Sequence, residues 1–140
     1  MKIVAAVDGS DHSTRALEFA AGLAASLGAE LSIVTIRPPV IDAELLRFGQ
    51  IEDVAVGELL ERQTADVLKV AKARAAALGA ASVSATAEEG DPATVLLEYG
   101  RSADLLVVGR RGRGQLSGLL LGSVSQKLAT LSTVPMAIVP

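Results

Sequence analysis

Strand-like and helix-like segments alternate five times along this chain, and that order admits few folds. Ile3 to Val7 is a continuous apolar run that stops at Asp8-Gly9-Ser10. A strand covered on both faces reads this way, because neither face meets water. Leu31–Ile36, Leu105–Val108 and Met136–Val139 have the same character, and Ser82–Glu88 alternates well enough for a third strand in chain order. Between these segments the period changes. Ala16, Leu17, Ala20, Ala21, Ala24 and Leu27 recur at helical spacing, with N-cap candidates at Asp11 to Ser13 and Gly28 as the stop. From about Glu52, the residues Leu60, Thr64, Val67, Leu68, Ala71, Ala75 and Leu78 form one stripe, faced by Glu61, Arg62, Asp66, Lys69 and Lys72, and Gly79 ends it. Asp91 caps a third helix with Pro92 at its first position, and Ser123–Leu131 makes another. The stretch 40–51 reads as a short helix followed by a loop around Phe48-Gly49-Gln50. The whole predicts one three-layer α/β domain over 1–140, a mostly parallel sheet with right-handed crossovers and helices on both faces. In such folds ligands sit beyond the carboxyl ends of the strands, at the switch point, so the loops after the first and fourth strands come first as site candidates.

Composition removes several function classes. The net charge of −3 gives no global attraction to nucleic acid or to an anionic membrane. With no cysteine there is no disulfide framework, thiolate metal site or cysteine nucleophile, which fits a reducing, cytoplasmic setting. The apolar run behind Met1 and Lys2 is too short for a signal-peptide core or a membrane span. His12 is the single histidine, so a histidine catalyst or metal site would lack partners; it is expected to be exposed at a helix start. Tyr99 and the methionines are expected to be packing residues.

The chemistry is concentrated in Gly109-Arg110-Arg111-Gly112-Arg113-Gly114-Gln115-Leu116-Ser117-Gly118-Leu119-Leu120-Leu121-Gly122-Ser123, which holds five glycines. Glycine lets backbone approach a ligand closely, and successive N–H groups in such turns form an anion nest. Gly122-Ser123 then opens a helix, whose N-terminus adds free N–H donors and partial positive charge. Following a buried strand and preceding a helix, the segment suits a phosphate chain. The plain alternative is a solvated loop with a capping serine. No lysine precedes Ser123, so this is no Walker A loop, and Asp8-Gly9-Ser10 lacks the three spaced glycines of a dinucleotide fingerprint.

Gly109, two residues, Gly112, nine residues, then Gly122-Ser123 is the spacing of the nucleotide-binding motif of universal stress proteins, and the chain resembles that family throughout its length. The likeness recurs at Ile3 to Ser10, at Gly90-Asp91-Pro92, at Asp104 to Gly109, at Leu120 to Gln126 and in Val134 to Val139. The resemblance implies a sheet of order 3-2-1-4-5, Rossmann-like and adenine nucleotide alpha hydrolase-like. It implies the ATP-binding branch of the family, since the motif glycines are intact, with magnesium accompanying the phosphates. By position, Asp8 and Gly9 would lie near the adenosine, the backbone around Ile36 would hydrogen-bond adenine, and Gly109, Gly112, Gly122, Ser123 and Val124 would surround ribose and phosphates. The resemblance also implies a homodimer through the last strand. The family does not demand arginine at 110, 111 or 113, so no role is assigned to those residues here. Asp8 has a local reading too, as a cap on the turn that follows it.

These observations predict a nucleotide-dependent stress or signalling module with at most slow ATP hydrolysis, because the motif holds no obvious general base. AMP and cyclic AMP are alternative ligands. An ATP-pyrophosphatase is a weaker reading, as Asp8 to Ser13 lacks that group's paired glycines. A dimeric interaction module without nucleotide is another. A receiver domain would need an acidic cluster after the first strand and an aspartate phosphoacceptor after the third, where Glu88-Glu89-Gly90 stands instead.

Overall fold

The structure, a computed structural model, describes residues 1–37, 50–112 and 121–140, with backbone alone for 50–56. Of the stretch 40–51, expected as a short helix and a loop, residues 40–49 lie outside the described residues, as does Arg113; Gln50 and Ile51 are not loop but open the long helix Gln50–Ala77. The strands are β1 (Lys2–Ala6), β2 (Glu30–Arg37), β3 (Ser82–Glu89), β4 (Leu105–Gly109) and β5 (Met136–Val139). They form one sheet of order β3-β2-β1-β4-β5, and every neighbouring pair is parallel. The helices are α1 (Asp11–Leu27), α2 (Gln50–Ala77), α3 (Pro92–Gly100) and α4 (Ser123–Leu131). None of the described helices is long and apolar enough to cross a membrane.

The two-residue period of the strands divides the core into two. Ile3, Ala5, Leu31, Ile33 and Val107 point to one face, where Ala16, Leu17, Ala20, Ala21 and Ala24 of α1 and Ala71 and Ala75 of α2 cover them. Val4, Val34, Leu106 and Val108 point to the other, beneath Leu96 of α3 and Leu128 of α4. Alanine at four of the buried α1 positions leaves no bulk to hold that helix off the sheet. Tyr99 packs at the edge of the second core and donates its hydroxyl to Glu88 Oε1 at 2.5 Å. That bond, and partial burial, push the phenol above its ordinary pKa.

Local chemistry explains the helix ends. The α1 cap is Ser10, one residue before the candidates named above; its hydroxyl accepts from Ser13 N–H, while Ser13 itself is buried. Gly28 ends α1 in the left-handed conformation, φ 63°, that a glycine accepts without strain. Asp91 caps α3 as expected, accepting from Thr94 N–H at 3.0 Å and from its hydroxyl at 2.8 Å. These bonds hold the carboxyl below its ordinary pKa of 3.8. Stability from the charged cap is therefore full above the ordinary value and lost as pH falls through the lowered one. Thermal melts of the parent should fall over that acid window, and Asp91→Asn, which keeps an acceptor but cannot titrate there, should flatten that part of the profile. An unchanged profile would remove Asp91 from the acid response.

From β1 the chain moves outward to β2 and β3, and then returns to β4 on the opposite side of β1. The switch point lies between β1 and β4. Lys2 and Asp104 secure its lower end: Asp104 N–H donates to the Lys2 carbonyl and Lys2 N–H to the Asp104 carboxylate, both at 2.8 Å.

Candidate functional site

A cleft of about 260 Å³ opens at the carboxyl ends of β1, β2 and β4. Small-molecule sites run from about 300 to 1,000 Å³, so this is a modest one. Asp8, Ile36, Gly109, Gly112, Gly122, Ser123 and Val124, all expected site residues, line it together. Gly9 is not among the lining residues. Its φ of 83° supplies the turn that takes the chain from β1 into α1.

The cleft has an apolar end and a polar one. At the apolar end Ala6, Val7, Val34, Leu96 and Pro92 join Ile36. Val7 N–H donates to the Val34 carbonyl at 2.9 Å, the last bond between the ends of β1 and β2. β2 continues to Arg37, paired there with β3 alone. Backbone groups two residues apart on a strand face the same edge. Ile36 therefore turns its N–H and carbonyl to the side of Val34's carbonyl, where no strand continues. An edge-on heterocycle beside apolar side chains meets that description.

At the polar end, β4 passes into the glycine segment. Arg110 N–H continues the ladder to the Val139 carbonyl at 2.7 Å, and Gly122 N–H returns to the Arg110 carbonyl at 2.8 Å. The two ends of the segment thus meet at the mouth of the cleft. A Cβ on Gly122 would lie 3.3 Å from Arg111 Cα, a tight fit against backbone. Gly122 is the N-cap of α4 and has no side-chain cap hydrogen bond, unlike Ser10 and Asp91 on α1 and α3. The first N–H groups of α4, at Ser123, Val124 and Ser125, are thereby left for an external acceptor.

Asp8 carries out the local role and still faces the cleft. Its Oδ1 accepts from Ser10 N–H at 2.9 Å, an Asx-type turn, and its own N–H donates to Ser13 Oγ at 3.2 Å. A Cβ on Gly112 would stand 2.6 Å from Asp8 Oδ2, so the glycine backbone runs directly over the carboxylate. Gly109 has a different constraint: a Cβ there would lie 2.8 Å from the backbone carbon and oxygen of His12. This motif glycine is needed by the packing of α1 against β4.

Two serines were missed by sequence reasoning. Ser125 is buried and donates to the Gly109 carbonyl at 2.7 Å, tying α4 to the end of β4. Ser13 is buried behind Asp8. Neither lies in a recognisable spacing, and their only signal was a small hydroxyl residue within the first turn of a helix facing the site. His12, expected exposed, is half-buried. Arg15 donates to its Nδ1 at 3.2 Å, leaving it the neutral acceptor, and partial burial with the charges of Arg15, Arg110 and Arg111 lowers its pKa from 6.5. Among the described residues no group of three or more His, Cys, Asp or Glu is placed to hold a metal.

Comparison with known proteins agrees with this architecture. The sequence model of the Universal stress protein family matches residues 1–140. Universal stress protein YxiE of Bacillus subtilis is 34% identical over 145 residues, covering 99% of this chain and 97% of its own. A crystal structure of a universal stress protein in complex with cAMP superposes with a TM-score of 0.73 at 32% identity, over 99% of this chain and 95% of that one. The universal stress protein from Archaeoglobus fulgidus in complex with dAMP shares the fold, with a TM-score of 0.71 at 21% identity over 100% and 98% of the two chains. The five-stranded parallel sheet, the cleft at its switch point and the full-length sequence match lead to one conclusion: the chain belongs to the universal stress protein family.

Proposed function

We propose that the protein binds ATP in the cleft between β1 and β4 and works in the cytoplasm as a nucleotide-dependent stress-response module. The observation that carries this is the uncapped N-terminus of α4, which meets the glycine backbone of Gly112 and Gly122 at one end of a cleft whose other end is apolar. The cAMP complex of a 32% identical relative supports an adenine nucleotide as the class of ligand. The base would lie against Val34 and Leu96 with its edge on the Ile36 backbone. The ribose would sit near Asp8, and the phosphates over Gly112, Gly122, Ser123 and Val124. Magnesium would arrive on the phosphates, since oxygen ligands from the nucleotide suit it better than a protein cage. Turnover would be slow at most: the acidic group of the lining is Asp8, and it is engaged with the Ser10 N–H. Binding would order the surface around the glycine segment for a partner to read. β5 is an edge of the sheet, which leaves its outer side able to pair with a second copy of the chain.

The test is calorimetric titration of nucleotide-free protein with ATP and magnesium, beside Gly122→Ala and Asp8→Ala variants checked for folding. Saturable binding by the parent, lost or weakened at least about tenfold in the variants, is expected. A parent that binds none of ATP, ADP, AMP and cyclic AMP would overturn the reading.

A further inference from the structure

Arg110 and Arg111 follow Gly109 at the end of β4, and each has its Nε shut away from solvent without a hydrogen-bond partner. Three other arginines among the described residues meet carboxylates: Arg37 pairs with Glu61 and Glu89, Arg74 with Glu18, and Arg101 with Glu98. No such pair among the described residues includes Arg110 or Arg111. A guanidinium cannot shed its charge, and its donors are held in a rigid fork. A buried donor without an acceptor is uncommon in native proteins, and it marks a place where water, an ion or a ligand completes the structure.

The surroundings add positive charge. On α1, Arg15 donates to His12 Nδ1 and, through Nε, to the Pro140 carbonyl beyond β5 at 2.9 Å. The charged groups acting on His12 are Arg15 and Asp11 of α1 and Arg110 and Arg111 after β4, and the pull of Asp11 is the smallest of them. This cationic corner is continuous with the cleft, because Arg111 lines it beside Gly112 and Ser123. It lies on the far side of β1 from Ile36. Two strand spacings, roughly 10 Å, separate β2 from β4, so a ligand with its flat apolar part at Ile36 would extend its anionic part toward the arginines.

We propose that Arg110 and Arg111 receive the distal phosphates of a nucleoside polyphosphate, and so make this cleft prefer di- and triphosphates to monophosphates and cyclic nucleotides. The inference rests on the nucleotide-binding reading above and adds its specificity. The α4 N-terminus and glycine backbone serve the first phosphate of any nucleotide. Only a longer chain brings further oxygens to the two guanidinium groups, where charge-assisted, paired hydrogen bonds form.

The experiment compares ATP, ADP and AMP by calorimetry on the parent and on the Arg110→Gln/Arg111→Gln double variant, both checked for folding. The parent should bind ATP at least about tenfold more tightly than AMP, and the double variant should bring that ratio toward one. A ratio discards any general weakening of the pocket. The single histidine provides a second readout by NMR titration of the parent. An anion among these arginines offsets their effect, so ATP and inorganic tripolyphosphate should raise the His12 pKa while AMP leaves it in place. If AMP and ATP bind equally, or the double variant keeps the parent's ratio, the inference is overturned and the nucleotide reading stands. If no nucleotide binds but tripolyphosphate moves His12 in the parent and not in the double variant, the nucleotide reading falls and the polyphosphate receptor remains. If neither is seen, both fall.

Discussion

Gly109→Ala is expected to melt at a lower temperature than the parent and to lose nucleotide affinity with it. The added methyl would lie 2.8 Å from the backbone carbon and oxygen of His12, and backbone at the start of a capped helix cannot swing aside as a side chain can. Either α1 or the end of β4 must move. Overpacking of this kind costs about 1–3 kcal/mol, which for a chain of this length is a fall in Tm of the order of 5–10 °C. The same movement would carry off the Gly109 carbonyl that Ser125 bonds, and with it the start of α4. Circular dichroism melts beside calorimetry would check both effects. A normal Tm with lost binding would mean that Gly109 is reserved for the ligand and not for the contact with α1.

Gly112→Ala should separate the two properties. Its Cβ would stand 2.6 Å from Asp8 Oδ2, the tip of a short side chain and not backbone. The carboxylate can rotate or the chain at Gly112 can lift, and both relieve the contact without opening the core. Stability should therefore change little. Binding should weaken about ten- to a hundredfold, the loss of one or two hydrogen bonds to a charged group, because Asp8 and the backbone over it line the proposed nucleotide cleft together. Titration with ATP on a variant of parental Tm decides this. Full affinity in that variant would detach Asp8 from the site and leave it as the cap of the Ser10 turn.

The strands were legible because each is a short apolar run closed by turn residues, and that signal is local. β1 shows the usual slippage at an end: the run reaches Val7, and the paired strand stops at Ala6, although Val7 N–H still bonds Val34. Caps were legible where one side chain does the work, as at Asp91 with Pro92, and displaced by one residue where several polar groups compete. Ser10, Asp11, His12 and Ser13 all stand at the start of α1, and the choice of Ser10 follows from Asp8 and Ser13 folding back on the same turn. The glycine spacing pointed to residues that the fold gathers around one cleft, and the glycines are there for different reasons. Gly112 and Gly122 lie against the loop and Asp8, whereas Gly109 answers to the backbone of α1.

Periodicity, turn residues and motif spacing, all short-range properties of the chain, were enough to specify an alternating α/β domain and to single out the loops after β1 and β4. The resemblance to a family added the strand order, which the pattern alone leaves open. Tertiary structure decided what depends on residues far apart in sequence. The pairing of Lys2 with Asp104, the bond from Ser125 to Gly109, the half-burial of His12 and the two guanidinium nitrogens without acceptors all arise where distant segments meet at the switch point. Solvent exposure and hydrogen-bond partners are set by that meeting, so Arg110 and Arg111, to which the sequence assigned no role, show their buried nitrogens only once the chain has folded around them.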